Sequence, residues 1–142
     1  MKRTTRGIRN NNPGNIRKGT TFEGQLPLSE QTDKSFIRFK SMEYGLRAMF
    51  RLIDYYGRKY GINTIEGIIS RWAPPSDNNN TEDYIEAVCK RTGLDRKTRI
   101  EQDNITEEFK ALVKAMCYVE SYYTPSERML DDAYIMAFGF KS

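Results

Sequence analysis

The sequence contains no histidine. Its absence removes the imidazole base that Ser-His-Asp and Cys-His nucleophilic systems need, and any zinc site built on imidazole. Cysteine is nearly as scarce. Cys89 and Cys117 are the only two, too few for an all-Cys zinc site, and each falls in an apolar helical pattern that suits a buried free thiol. No apolar run approaches the roughly 20 residues that span a bilayer, and the basic opening, residues 1–12, is not followed by an apolar segment. Neither a membrane span nor a secretory signal peptide is expected. Internal repeats, low-complexity tracts and linkers are also missing, which points to one domain over residues 1–142.

What is present suits a soluble globular chain, with 38% hydrophobic and 30% charged residues. The net charge of +4 fits a polyanionic partner, either nucleic acid or an anionic cell wall. The basic residues gather only near the N-terminus (Lys2, Arg3, Arg6, Arg9, Arg17, Lys18). No arginine-rich recognition helix accompanies them, so nucleic acid is the less favoured partner. Without histidine, acid–base chemistry at neutral pH falls to carboxylates, or failing them to Tyr or Lys.

The spacing predicts a mainly α (α+β) chain. Residues 1–19 read as irregular, with a turn cluster at residues 10–15 where Pro13 fixes one torsion and Asn or Gly is free to take positive φ. A small β-hairpin is expected near residues 20–39, pairing 20–26 with 34–39. Ser41 caps a long helix with an apolar stripe Leu46, Met49, Phe50, Ile53 and Tyr60, stopped at Gly61. Thr64 caps a short helix facing inward through Ile65, Ile68, Ile69 and Trp72, ended by Pro74-Pro75. Thr81 is expected to cap a helix with Tyr84, Ile85 and Val88 inward, stopped by Gly93, and Thr106 to cap the next. Thr124-Pro125 with Glu127 reads as the capping box of a last helix, facing inward through Met129, Ala133, Met136 and Phe140.

One residue stands out of this pattern. Phe109, Val113, Met116 and Glu120 follow one another at steps of four, three and four, so all lie on one helical stripe. Glu120 thus continues an apolar face. A carboxyl held there loses hydration and binds its proton more tightly, as a general acid near neutral pH requires. Ser121 beside it is a candidate to orient it. The plainer alternative is a carboxylate at a helix end, simply reaching water. Glu43 and Glu23 are the candidates for a second carboxylate. Dipole stabilisation in a first helical turn also accounts for Glu43, and strand exposure for Glu23. Asp77 reads as a turn residue. The aromatics Tyr84, Tyr118, Tyr122 and Tyr123 could stack on sugars or simply pack the core.

Three segments together resemble the lysozyme-like superfamily, and within it small phage proteins and virion-associated lytic transglycosylases. These are the opening Arg6-Gly7-Ile8-Arg9-Asn10-Asn11-Asn12-Pro13-Gly14-Asn15-Ile16-Arg17 with Phe22-Glu23-Gly24-Gln25, then Phe39-Lys40-Ser41-Met42-Glu43-Tyr44-Gly45-Leu46-Arg47-Ala48, then Arg71-Trp72-Ala73-Pro74-Pro75 with Tyr84 after it. Flagellar-type glucosaminidases show similar parts in a different order, with the catalytic-glutamate helix first. Here a Glu-Ser pair typical of transglycosylases stands near the end as Glu120-Ser121, so the chain resembles a circular permutation of the lysozyme-like fold. It departs from its phage counterparts in having Glu120-Ser121-Tyr122 where they show Glu-Asn-Gly, and the loop aspartate of the glucosaminidases has no clean match.

The resemblance implies cleavage of bacterial peptidoglycan between N-acetylmuramic acid and N-acetylglucosamine. Glu120 would be the acid–base residue, and Asn15, Trp72, Tyr84, Ser121 and Tyr122 would contact the glycan, with no metal or cofactor. The enzyme would be a lytic transglycosylase or a lysozyme-type glycosidase serving phage lysis or entry. It would be carried in a phage particle or made in the host cytoplasm, and would act in the periplasm or wall. The alternative is a non-catalytic virion or peptidoglycan-binding protein that keeps the fold.

Overall fold

The computed structural model describes residues 4–102 and 106–139. The order is α1 (Arg6–Arg9), α2 (Met42–Tyr60), α3 (Ile65–Trp72), α4 (Thr81–Thr92), α5 (Glu107–Ser121) and α6 (Glu127–Phe138), with 3-10 turns at Leu28–Glu30 and Pro75–Asp77. The chain is mainly helical, as its periodicity implies. Among the described residues no helix is long and apolar enough to cross a membrane.

Local chemistry sets most of the helix ends. The side chains of Ser41, Thr64 and Thr106 accept the amides of Tyr44, Gly67 and Phe109, satisfying donors the first turn leaves unpaired. Gly61 and Gly93 end α2 and α4 in left-handed conformations, at φ 67° and 74°. Two starts lie elsewhere than expected. Asn80, not Thr81, caps α4 through the amide of Asp83, while the Thr81 hydroxyl donates to the Ala73 carbonyl at 2.6 Å. Ser126, not Thr124, caps α6 through the amide of Met129. A proline disfavours helical backbone in the residue before it, and here the helix begins only beyond Thr124-Pro125. The inner face of α6 is correspondingly Leu130, Ala133, Tyr134 and Ala137, whereas Met136 is exposed and Phe140 lies outside the described residues. Residues 1–19, expected to be irregular, contain α1.

The core centres on α2, whose Leu46, Met49, Phe50 and Ile53 are fully buried. Phe50 meets Phe109 of α5 and Tyr134 of α6 edge-on, at 5.0 and 5.4 Å between ring centres. Both cysteines are free, Cys117 buried and Cys89 half-buried.

In place of the expected hairpin, residues 17–39 hold two isolated antiparallel bridges, Arg17 with Phe36 and Gln25 with Phe39. Side chains take over the backbone pairing that a ladder would provide. Gln31 accepts the Arg38 amide and donates to the carbonyls of Leu26 and Arg38. Asp33 accepts the amides of Ser35 and Phe36, the side chain of Asn10 and both arms of the Arg6 guanidinium.

Candidate active site

The turn at residues 10–15 closes over the C-terminal end of α5. Asn11 and Asn15 take positive φ, 52° and 50°, a region asparagine enters at low cost. Buried Asn12 holds the turn by donating to the carbonyls of Ile16 and Ile37 and accepting the Ile16 amide. A helix end leaves its last carbonyls without partners. Here the Thr5 hydroxyl donates to Ser121 O at 2.7 Å and Asn15 Nδ2 to Glu120 O at 3.1 Å. The approach is close enough that a Cβ on Gly7 would collide with the Ser121 side chain, and one on Gly14 would come within 2.8 Å of the Trp72 ring. Glycine is therefore required at both positions.

Phe109, Val113 and Met116 are fully buried, and their stripe delivers Glu120, half-buried on the last turn of α5, to the wall of a cleft of about 270 Å³. Asn15 Nδ2 also donates to Glu120 Oε1 at 3.2 Å. Burial raises the Glu120 pKa above its ordinary value. The Asn15, Tyr84 and Trp72 side chains and the Arg17 charge pull the other way without cancelling it. The carboxyl is thus biased toward its protonated form and open to a cleft on one side.

Trp72, at the end of α3, lines the same cleft, fixed by donation from Nε1 to Gly14 O at 3.0 Å and by edge contact with Tyr56 at 6.3 Å. Asn15 lines it too. Tyr84 does not; it is buried beneath the carboxyl, and its hydroxyl makes no hydrogen bond of good geometry. Burial and the Glu120 charge hold this phenol well above its ordinary pKa. Its role is to seal the inner side of Glu120. Cys117 is fully buried as well, its thiol raised by burial and then by Glu120.

Two expected glycan contacts are not in the cleft. The Ser121 hydroxyl is fully buried and donates to Pro13 O at 2.8 Å, so it ties the helix end to the turn and does not orient the carboxyl. Consecutive residues on a helix face different ways, which is why adjacency misleads here. Tyr122 adopts a left-handed conformation at φ 51°, terminates α5, and is 74% exposed with its ring against Tyr118. Neither expected second carboxylate faces Glu120. Glu43 stays in the first turn of α2, and Glu23 pairs with Arg47 at 2.9 Å beside a neighbouring groove. The cleft instead contains Asp77, from the 3-10 turn after Pro74, together with Arg17 and Arg71. These three come from separate loops and helix ends. No local pattern marks them, apart from the adjacency of Arg71 to Trp72. Among the described residues no cluster of His, Cys, Asp or Glu could hold a metal ion.

The chain is 38% identical over 129 residues to Protein P5 of Pseudoalteromonas phage PM2, an alignment covering 88% of this chain and 76% of that protein. No family model matches it.

Proposed function

The chain belongs to the family of Protein P5 of Pseudoalteromonas phage PM2, and we propose that it cleaves the glycan strands of bacterial peptidoglycan with Glu120 as proton donor, as a lysozyme-like, circularly permuted lytic transglycosylase or glycosidase. The observation that carries this reading is the half-buried Glu120 carboxyl, raised toward protonation by burial, at the wall of an open cleft beside Trp72. A protonated carboxyl in that position donates to the glycosidic oxygen as the bond breaks through an oxocarbenium-like transition state. Trp72 offers an aromatic edge to a sugar ring, and Asn15 fixes the direction of the acid.

The second half of the reaction distinguishes two products. Glu120, once deprotonated, accepts a proton from the muramyl 6-hydroxyl and leaves an anhydro end. Alternatively Asp77, the other carboxylate lining this cleft among the described residues, directs water and leaves a reducing end. Zymography on purified wall tests the reading. The wild type clears the wall, and Glu120→Gln loses at least about 100-fold of that activity, as removal of a general acid does. Clearing by the variant at the wild-type rate contradicts it. Wall binding without clearing by the wild type favours a non-catalytic virion protein. Mass spectra of the digest, with Asp77→Asn beside the wild type, separate anhydro from reducing ends.

A further inference from the structure

Arg17 and Arg71 both line the Glu120 cleft. Several arginines pair with a carboxylate, as Arg6, Arg47, Arg58 and Arg96 do with Asp33, Glu23, Asp54 and the pair Glu66 and Glu82. Arg17 and Arg71 form no such pair, although Asp77 and Glu120 share their cleft. They are instead held by aromatic faces. The Arg71 guanidinium lies 3.9 Å from the Tyr60 ring centre and 5.5 Å from that of Tyr56, and Arg17 lies 5.4 Å from that of Phe36. Stacking fixes the plane of a guanidinium and leaves its N–H edge unused, the arrangement that accepts a carboxylate through two parallel hydrogen bonds.

We infer that Arg17 and Arg71 are a recognition pair for carboxylates carried by the glycan, so that the cleft selects an anionic strand over a neutral one. The inference rests on the reading of the cleft as a glycan site and narrows its substrate class. Wall glycan carries such carboxylates in two places: on the lactyl ethers of strands without peptides, and on the peptide stems of intact strands. Neutral N-acetylglucosamine oligomers carry none.

The chain has one tryptophan, and Trp72 lines this cleft, so its fluorescence reports occupancy directly. The test uses Glu120→Gln, which binds without turnover, titrated with an N-acetylglucosamine hexamer, with strands stripped of peptides, and with strands bearing their stems. At least one anionic strand is expected to bind about tenfold or more tightly than the hexamer, on the scale of a charge-assisted bond. The better of the two anionic strands identifies the carboxylate. The advantage shrinks at high salt and is lost when Arg17→Met and Arg71→Met are added, so that anionic strands then bind no more tightly than the hexamer. Arg71→Lys keeps the charge without the fork and recovers only part of it. Equal affinities for neutral and anionic glycan, an advantage that survives both substitutions, or no glycan binding at all overturns the inference. Wild-type zymography separates the two readings. Clearing without an arginine-dependent preference sinks only this inference, and the preference without clearing sinks only the proposed cleavage.

Discussion

Asp33 and Glu120 are both withdrawn from water, yet the chain surrounds them in opposite ways. Asp33, its side chain 8% exposed, accepts five hydrogen bonds, two of them from Arg6. The guanidinium, the two amides and Asn10 hold its pKa far below the usual carboxylate range. Glu120 has burial as its dominant influence and one hydrogen bond from Asn15 Nδ2 to its carboxyl, and its pKa moves up. Shielding alone therefore does not decide what a carboxyl can do. A shielded carboxylate given every donor it can use is a structural knot. One given too few is left with a proton to donate.

The largest expected effect tests the Glu120 half of this contrast. Glu120→Gln lowers the rate of glycan cleavage by about 100-fold or more and leaves the circular dichroism spectrum intact. Asp33→Asn should do the reverse, lowering stability by about 2 kcal/mol through loss of charged hydrogen bonds, with cleavage per folded molecule preserved. Denaturant melts measure it. The sign with pH follows from the lowered pKa. The stabilisation from Asp33 is present above the ordinary carboxylate range and is lost as pH falls through the folded value, so the two proteins converge only in strong acid. A variant as stable as the wild type at neutral pH would break the comparison.

A smaller effect is expected at Asn15. Glycine there keeps the positive φ and removes the donor to Glu120. The alkaline limb of the activity profile should then move to higher pH, because a hydrogen bond that favours the charged form is gone. An unmoved limb would mean that Asn15 serves the turn alone. The smallest effect concerns stability. Glu120 is raised in the fold, so the wild type loses stability as pH climbs from the ordinary carboxylate value through the folded one. Glu120→Gln has no such loss and should melt slightly higher at neutral pH, with no difference in acid. A lower melting point at neutral pH would show that the ionised form is welcome in the cleft.

Legibility in the sequence followed range. Ser41, Thr64 and Thr106 were readable as caps, and Gly61 and Gly93 as stops, because each acts within one turn of itself. Asn80 and Ser126 were missed by one and two residues where neighbouring Thr or Thr-Pro offered a similar local signal. Glu120 was readable from the periodicity of α5, since Phe109, Val113 and Met116 mark the face it shares. Ser121 and Tyr122 were drawn to the site by adjacency, although one faces Pro13 and the other faces solvent. Asp77, Arg17 and Arg71 were not readable as one group. Arg71 and Asp77 lie six residues apart, and only the packing of the distant Arg17 segment against them completes the group. The expected hairpin is not formed: of its pairs Gln25 and Phe39 meet at an isolated bridge, and Gln31 and Asp33 occupy backbone groups that a ladder would use.

The central claim is that Glu120 holds its proton more tightly than a free carboxyl does. Carbon NMR titration of the glutamate side-chain carboxyls, with Glu120→Gln identifying the signal, measures this directly. A midpoint above the ordinary value of 4.5 is the predicted result, and a midpoint at or below that value would contradict the account.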